Sequence, residues 1–154
     1  NTRPLLFMSR QVPKEPASLV GKALPDMTAL SLAVDPGAMK DQPVLLCFCD
    51  MNQRPSRHTV QELVKKAEEL KGKGVVVALV QAEPMEQKNL DEWIAKYQIP
   101  FAVGVLKDQP DKTKFDWGVK ALPWLMLTDV QHVVQAEGFT VTELEEKIQG
   151  VRPN

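Results

Sequence analysis

The side chains with the readiest chemistry gather in one stretch: Cys47 and Cys49, then Met51, Gln53, Arg54, Ser56, Arg57 and His58. Two thiols, a thioether and an imidazole are soft ligands of the kind that hold copper(I). A thiol can also act as a nucleophile, provided that it is exposed and its thiolate is stabilised. Neither cysteine is well placed for that. Both fall in the unbroken apolar run Val44 to Cys49, and a cysteine packed in such a run behaves as a small inert hydrophobe. Two positions apart on an extended chain, their Cα atoms lie about 7 Å from each other, at the limit of a disulfide, so no internal bridge is expected. Cys49, nearer the end of the run, is the fallback thiol. Arg54 and Arg57 follow at the start of a helical pattern, where free amides and two guanidinium groups suit a carboxylate or phosphate; the plainer reading is two solvated arginines. Ser56 and His58 stand two apart on that helix, where side chains diverge, so they do not make a nucleophile and base.

The elements that must position this stretch are legible around it. Val44 to Cys49 has no polar alternation, which predicts a strand buried on both faces. Val60, Leu63, Val64, Ala67 and Leu70 recur at helical spacing with Lys65, Lys66, Glu68 and Glu69 opposite, and the helix ends at Lys71 to Gly74. Val75 to Val80 is a second β-branched run, so a strand, helix and strand with a right-handed crossover is expected. A helix from Met85 to Tyr97 with Leu90, Trp93, Ile94 and Tyr97 inward stops at Ile99-Pro100, and Phe101 to Leu106 is a third apolar run. Asp108 to Lys114 reads as polar turn. Leu125 to Leu127 and Val133 to Ala136 flank Thr128 to His132 as an antiparallel hairpin, and a last helix capped by Thr140 or Thr142 turns Leu144 and Ile148 inward. Upstream, Thr28 to Leu32 alternates like a strand or hairpin before the turn at Asp35-Pro36-Gly37. Residues 1–18 carry Pro4, Pro13 and Pro16 and read as an arm or linker, in which Leu5 to Met8 can pair along a sheet edge.

A length of 154 residues fits one domain, and a net charge of −1 supplies no field for nucleic acid or an anionic membrane. No apolar run approaches the roughly 20 residues that span a bilayer, so membrane insertion by this segment is not expected. No Gly-rich phosphate loop and no catalytic carboxylate pair emerges. The chain begins at Asn1, which suggests a piece processed from, or fused within, a longer protein.

Val20-Gly21-Lys22 with Pro25-Asp26-Met27, the strand and corner Val44 to Arg57, and Gly118-Val119, Leu122-Pro123 and Leu127-Thr128-Asp129 occur in the order of a known family. Jointly they resemble the thioredoxin-like superfamily, in its TlpA/ResA-like and AhpC/TSA-related branch of thiol-disulfide oxidoreductases. The resemblance implies an α/β thioredoxin-like fold over 19–150, a central mixed sheet flanked by helices, with an arm at 1–18 and a tail at 151–154. It also implies that Leu122-Pro123 is a cis peptide beside the helix start, offering its backbone to an extended peptide or protein partner, with Trp117 and Trp124 as either core residues or anchors at the rim.

In that family the corner carries Trp-Cys-X-X-Cys-Arg, because a helix N-terminus stabilises a thiolate. Laid on this chain, the redox cysteine positions are Gln53 and Ser56, the tryptophan position is Asn52, and Pro55 and Arg57 match. An amide and a hydroxyl cannot exchange disulfides. The expectation is a module without catalytic residues, cofactor or metal, exported or membrane-tethered outside the cytoplasm, with Arg54, Pro55, Arg57, Leu122, Pro123 and Trp124 as binding candidates. The alternatives are an oxidoreductase or peroxidase-like enzyme working through Cys49, and a copper(I) carrier.

Overall fold

The computed structural model describes residues 15–32, 34 and 36–151. The expected edge-pairing stretch Leu5 to Met8 and the end of the tail lie outside them. Five strands form one mixed sheet: β1 (Val44–Cys49), β2 (Val76–Gln81), β3 (Ala102–Val105), β4 (Trp124–Thr128) and β5 (Val134–Phe139), in the spatial order β3-β2-β1-β4-β5. The pairs β1/β2 and β2/β3 are parallel, whereas β4 runs antiparallel to both β1 and β5. Helices α1 (Arg54–Lys65), α2 (Ala67–Gly72), α3 (Gln87–Tyr97), α4 (Pro110–Asp116) and α5 (Leu144–Val151) complete the α/β fold expected from the sequence. The last of these runs to Val151, the first residue of the expected tail.

Every residue of the central strand β1 is buried, because the sheet is covered on both faces. Its side chains alternate between two cores. Leu45, Cys47 and Cys49 pack with Val60 and Leu63 of α1 and with Leu144 and Ile148 of α5. Val44, Leu46 and Phe48 pack on the other side with Leu30, Leu106 and Trp117, where the Phe48 and Trp117 rings meet at 5.8 Å. No described helix is long and apolar enough to cross a membrane.

Three local expectations are corrected. Thr28 to Leu32 is not extended: a 3-10 turn, Met27–Leu30, is started by Asp26, whose side chain accepts from the Thr28 amide at 2.9 Å. That hydrogen bond holds the Asp26 carboxyl below its ordinary range. A short-range cap outweighs a weak alternation here. The turn is seated against β3 through Gly104, where any Cβ would collide with the Leu30 carbonyl. The long first helix is two helices, α1 and α2, broken at Lys66; Leu70 stays buried beyond the break, so the apolar spacing does not register it. Asp108 to Lys114 is not turn throughout, since α4 begins at Pro110. It buries no residue, so it has no apolar stripe to be recognised by, and it relies on Pro110 in its first turn and a Lys112–Asp116 pair at 2.7 Å.

Upstream, the segment after Leu19 covers the outer edge of β5. The Gly21 amide donates to the Val134 carbonyl at 2.8 Å, and the Val134 amide to the Lys22 carbonyl at 2.9 Å. The upstream chain thus covers the start of β5 at the sheet edge, with Ala23 bridging Val133.

Candidate functional site

The corner between β1 and α1 is built by buried polar groups. Ser56, fully buried, accepts the Asp50 amide at 2.9 Å through its hydroxyl. Gln81, the last residue of β2 and equally buried, reaches across: its carbonyl oxygen accepts the Met51 amide at 2.8 Å, and its nitrogen donates to Asp50 Oδ1 and to the Glu83 carbonyl, each at 3.1 Å. Asp50 Oδ1 also accepts the Asn52 amide. These bonds satisfy backbone that has left the sheet and not yet entered the helix.

Gln53 occupies the N-cap of α1 without a side-chain capping bond, its side chain exposed, and Pro55 stands in the first turn. Arg54 is exposed. Arg57 is drawn inward, donating from Nη1 to the Met51 carbonyl at 2.9 Å and lying 5.3 Å over the Trp93 ring. It therefore braces the corner, and of the two arginines only Arg54 is left to solvent. A shallow depression of about 460 Å³ on this flank is lined by Arg54, Pro55, Arg57, His58 and Tyr97.

On the other flank lies a groove of about 670 Å³, lined by Asp50, Gln53, Glu83, Lys114, Phe115 and Leu122 among others. The Leu122–Pro123 peptide is cis, as the resemblance implied. The wall opposite is held by Lys114, which pairs with the Glu83 carboxylate and, at 3.3 Å, with Asp111. Burial disfavours the ammonium, but the two carboxylates prevail and hold its pKa above the ordinary lysine value.

The remaining candidates lie elsewhere. Trp124 does not line the groove: it opens β4, its ring faces Gly138 so closely that a Cβ there would lie 2.7 Å from it, and its buried Nε1 has no hydrogen-bond partner among the described residues. Trp117 is core, 1% exposed. Cys47 and Cys49 are free and buried. The Cys49 thiol donates to the Val80 carbonyl at 3.5 Å; its hydrogen bond with Cys47 and then its burial push its pKa well up, against thiolate formation. His58 is exposed on α1, so the structure does not bring imidazole and thiols together, and among the described residues no three histidine, cysteine or acidic side chains are grouped to hold a metal.

The site thus contains Gln53, Ser56 and Leu122 as sequence reasoning placed them, with Asp50, Gln81, Glu83 and Lys114 in addition. A polar residue closing an apolar strand is the one signal that could have pointed to Gln81, and Asp50 carries the same signal one strand over. Nothing in the spacing joins Glu83 to Lys114.

Residues 20–138 match the AhpC/TSA family. No curated protein matches the sequence. Among solved structures, one described as the thiol:disulfide interchange protein DsbE of Chlorobium tepidum is similar at 25% identity and a TM-score of 0.68, over 87% of this chain and 99% of that one. The thioredoxin domain of a thiol-disulfide oxidoreductase from Bacteroides vulgatus superposes with a TM-score of 0.75 at 15% identity, covering 89% of this chain and all of the other. StoA of Bacillus subtilis does so at 0.56 and 15% identity, over 70% of this chain and 83% of its own. At 15% identity these last two likenesses are of fold.

Proposed function

The chain belongs to the AhpC/TSA family of thioredoxin-like thiol-disulfide oxidoreductases, and within it we propose that this chain works without thiol chemistry, as a binding module whose groove takes an extended peptide or protein segment. The observation that carries this reading is the start of α1, where Gln53 is the exposed N-cap and Ser56 is buried in the first turn, the positions at which the family resemblance sets a nucleophilic and a resolving sulfur. What remains at the corner is recognition apparatus, namely helix amides, a groove, and the backbone of Leu122 beside a cis peptide.

The test is insulin reduction driven by dithiothreitol. The protein is expected to leave the rate at that of dithiothreitol alone, and Cys49→Ser is expected to change nothing. Robust turnover abolished by Cys49→Ser would establish the competing reading, an oxidoreductase or peroxidase-like enzyme acting through that thiol. Against it stand the burial of Cys49 and its raised pKa, since reaction requires an accessible thiolate.

We propose further that the protein acts outside the cytoplasm, periplasmic or membrane-tethered, which its likeness to a structure described as the thiol:disulfide interchange protein DsbE supports. Fractionation of cells carrying the complete gene checks this, and recovery in the cytoplasmic fraction refutes it.

A further inference from the structure

We infer that the groove selects extended segments bearing a lysine or arginine side chain, and that Asp50 is the group that receives it. This rests on the binding reading above and names the chemistry of what binds. Asp50 lines the groove yet is only 8% exposed. Its Oδ1 takes two hydrogen bonds, both from neutral amides: Asn52 N and Gln81 Nε2, each at 3.1 Å. Its Oδ2 has no hydrogen bond, and the carboxylate has no ion pair, among the described residues. The other carboxylates of the groove differ in this respect, because Lys114 pairs with both Glu83 and Asp111. Lys120, exposed on the rim, makes no ion pair with Asp50.

A largely buried carboxylate without a cation is costly, and the cost is relieved by a cation that arrives with good geometry. Among the described residues, the groove that Asp50 lines gives an approach to it. A segment lying along Leu122, whose own amide and carbonyl carry no hydrogen bond among the described residues, presents alternate side chains toward that floor. A basic side chain there completes the pairing, whereas an acidic one meets the unpaired Asp50 carboxylate. The Gln81 bond fixes Asp50 in place beforehand, so little ordering is lost on binding.

The experiment uses nonapeptide mixtures, acetylated and amidated, random except for a central lysine, arginine, norleucine or glutamate, passed over the immobilised full chain. Lysine and arginine mixtures should be retained about tenfold more than norleucine, and glutamate least. Asp50→Asn keeps an acceptor for Asn52 and Gln81, and should bring lysine and norleucine within about twofold of each other. Ala121→Trp, which fills the groove from its exposed rim, should abolish retention of every mixture. If no mixture separates the native protein from Ala121→Trp, the binding reading falls and this inference with it. If the groove binds but lysine and norleucine are retained alike on the native protein, or the preference survives in Asp50→Asn, this inference falls alone. The comparison on the native protein does not depend on any variant folding.

Discussion

Gln53→Cys combined with Ser56→Cys is expected to give the protein a disulfide reductase activity about tenfold or more above the dithiothreitol background, where the native chain adds none. The corner already supplies what such chemistry needs. Position 53 is the N-cap of α1, so a thiolate there faces the free amides of the first turn and the positive end of the helix. Arg54 and Arg57 add positive charge in the same turn, which is unfavourable to the helix dipole but favourable to a thiolate. The new thiol at 53 should therefore titrate below the ordinary value of about 8.5. It attacks one sulfur of a substrate disulfide, forming a mixed disulfide and expelling the other as a thiolate. The thiol at 56, once deprotonated, attacks the sulfur at 53, closes a 53–56 disulfide and releases the second substrate thiolate; dithiothreitol then reduces the protein. Gln53→Cys alone should trap the mixed disulfide and turn over little. A double variant that forms the 53–56 disulfide yet reduces insulin no faster than the native chain would show that the groove does not present substrates to this corner, and would count against the binding reading too.

This corner also marks how far the sequence could be followed. The parallel pairing of β1 with β2 followed from Val44 to Cys49 and Val75 to Val80, because strands buried on both faces must be apolar throughout. That Gln53 and Ser56 fall at the start of a helix followed from the apolar spacing downstream of them. Elements that bury nothing left no such trace: α4 is amphipathic to nothing, and the Met27–Leu30 turn depends on a single cap. Arg57 and Trp124 show what residue type leaves open. Residue type says that a guanidinium or an indole can reach a ligand, but a neighbouring carbonyl, a ring and a glycine decided where each one went. The floor of the groove was hidden because Asp50 and Gln81, far apart in the chain, meet only through the parallel register that pairs Cys49 with Gln81.

That meeting makes Gln81 the residue on which the corner depends, and Gln81→Ala is expected to lower stability by about 3 kcal/mol, or about 10 °C in Tm. Three groups lose a partner together: the Met51 amide, the Asp50 carboxylate and the Glu83 carbonyl. All of this occurs at a fully buried site, where an unmet polar group costs about 1–3 kcal/mol and truncation also leaves a cavity. Gln81→Glu separates the polar loss from the volume. A carboxylate there still accepts from Met51 but no longer donates to Asp50, and two buried like charges face each other. Such a pair has a proton affinity raised above that of the unfolded chain, so the variant should regain stability as pH falls through the raised pKa, from about 7 toward about 5. Gln81→Ala has no such recovery. Urea unfolding of both variants at the two pH values reads the difference, and a Gln81→Ala protein within about 1 kcal/mol of the native chain would mean that the corner is held by packing and that Asp50 is not preset for its ligand.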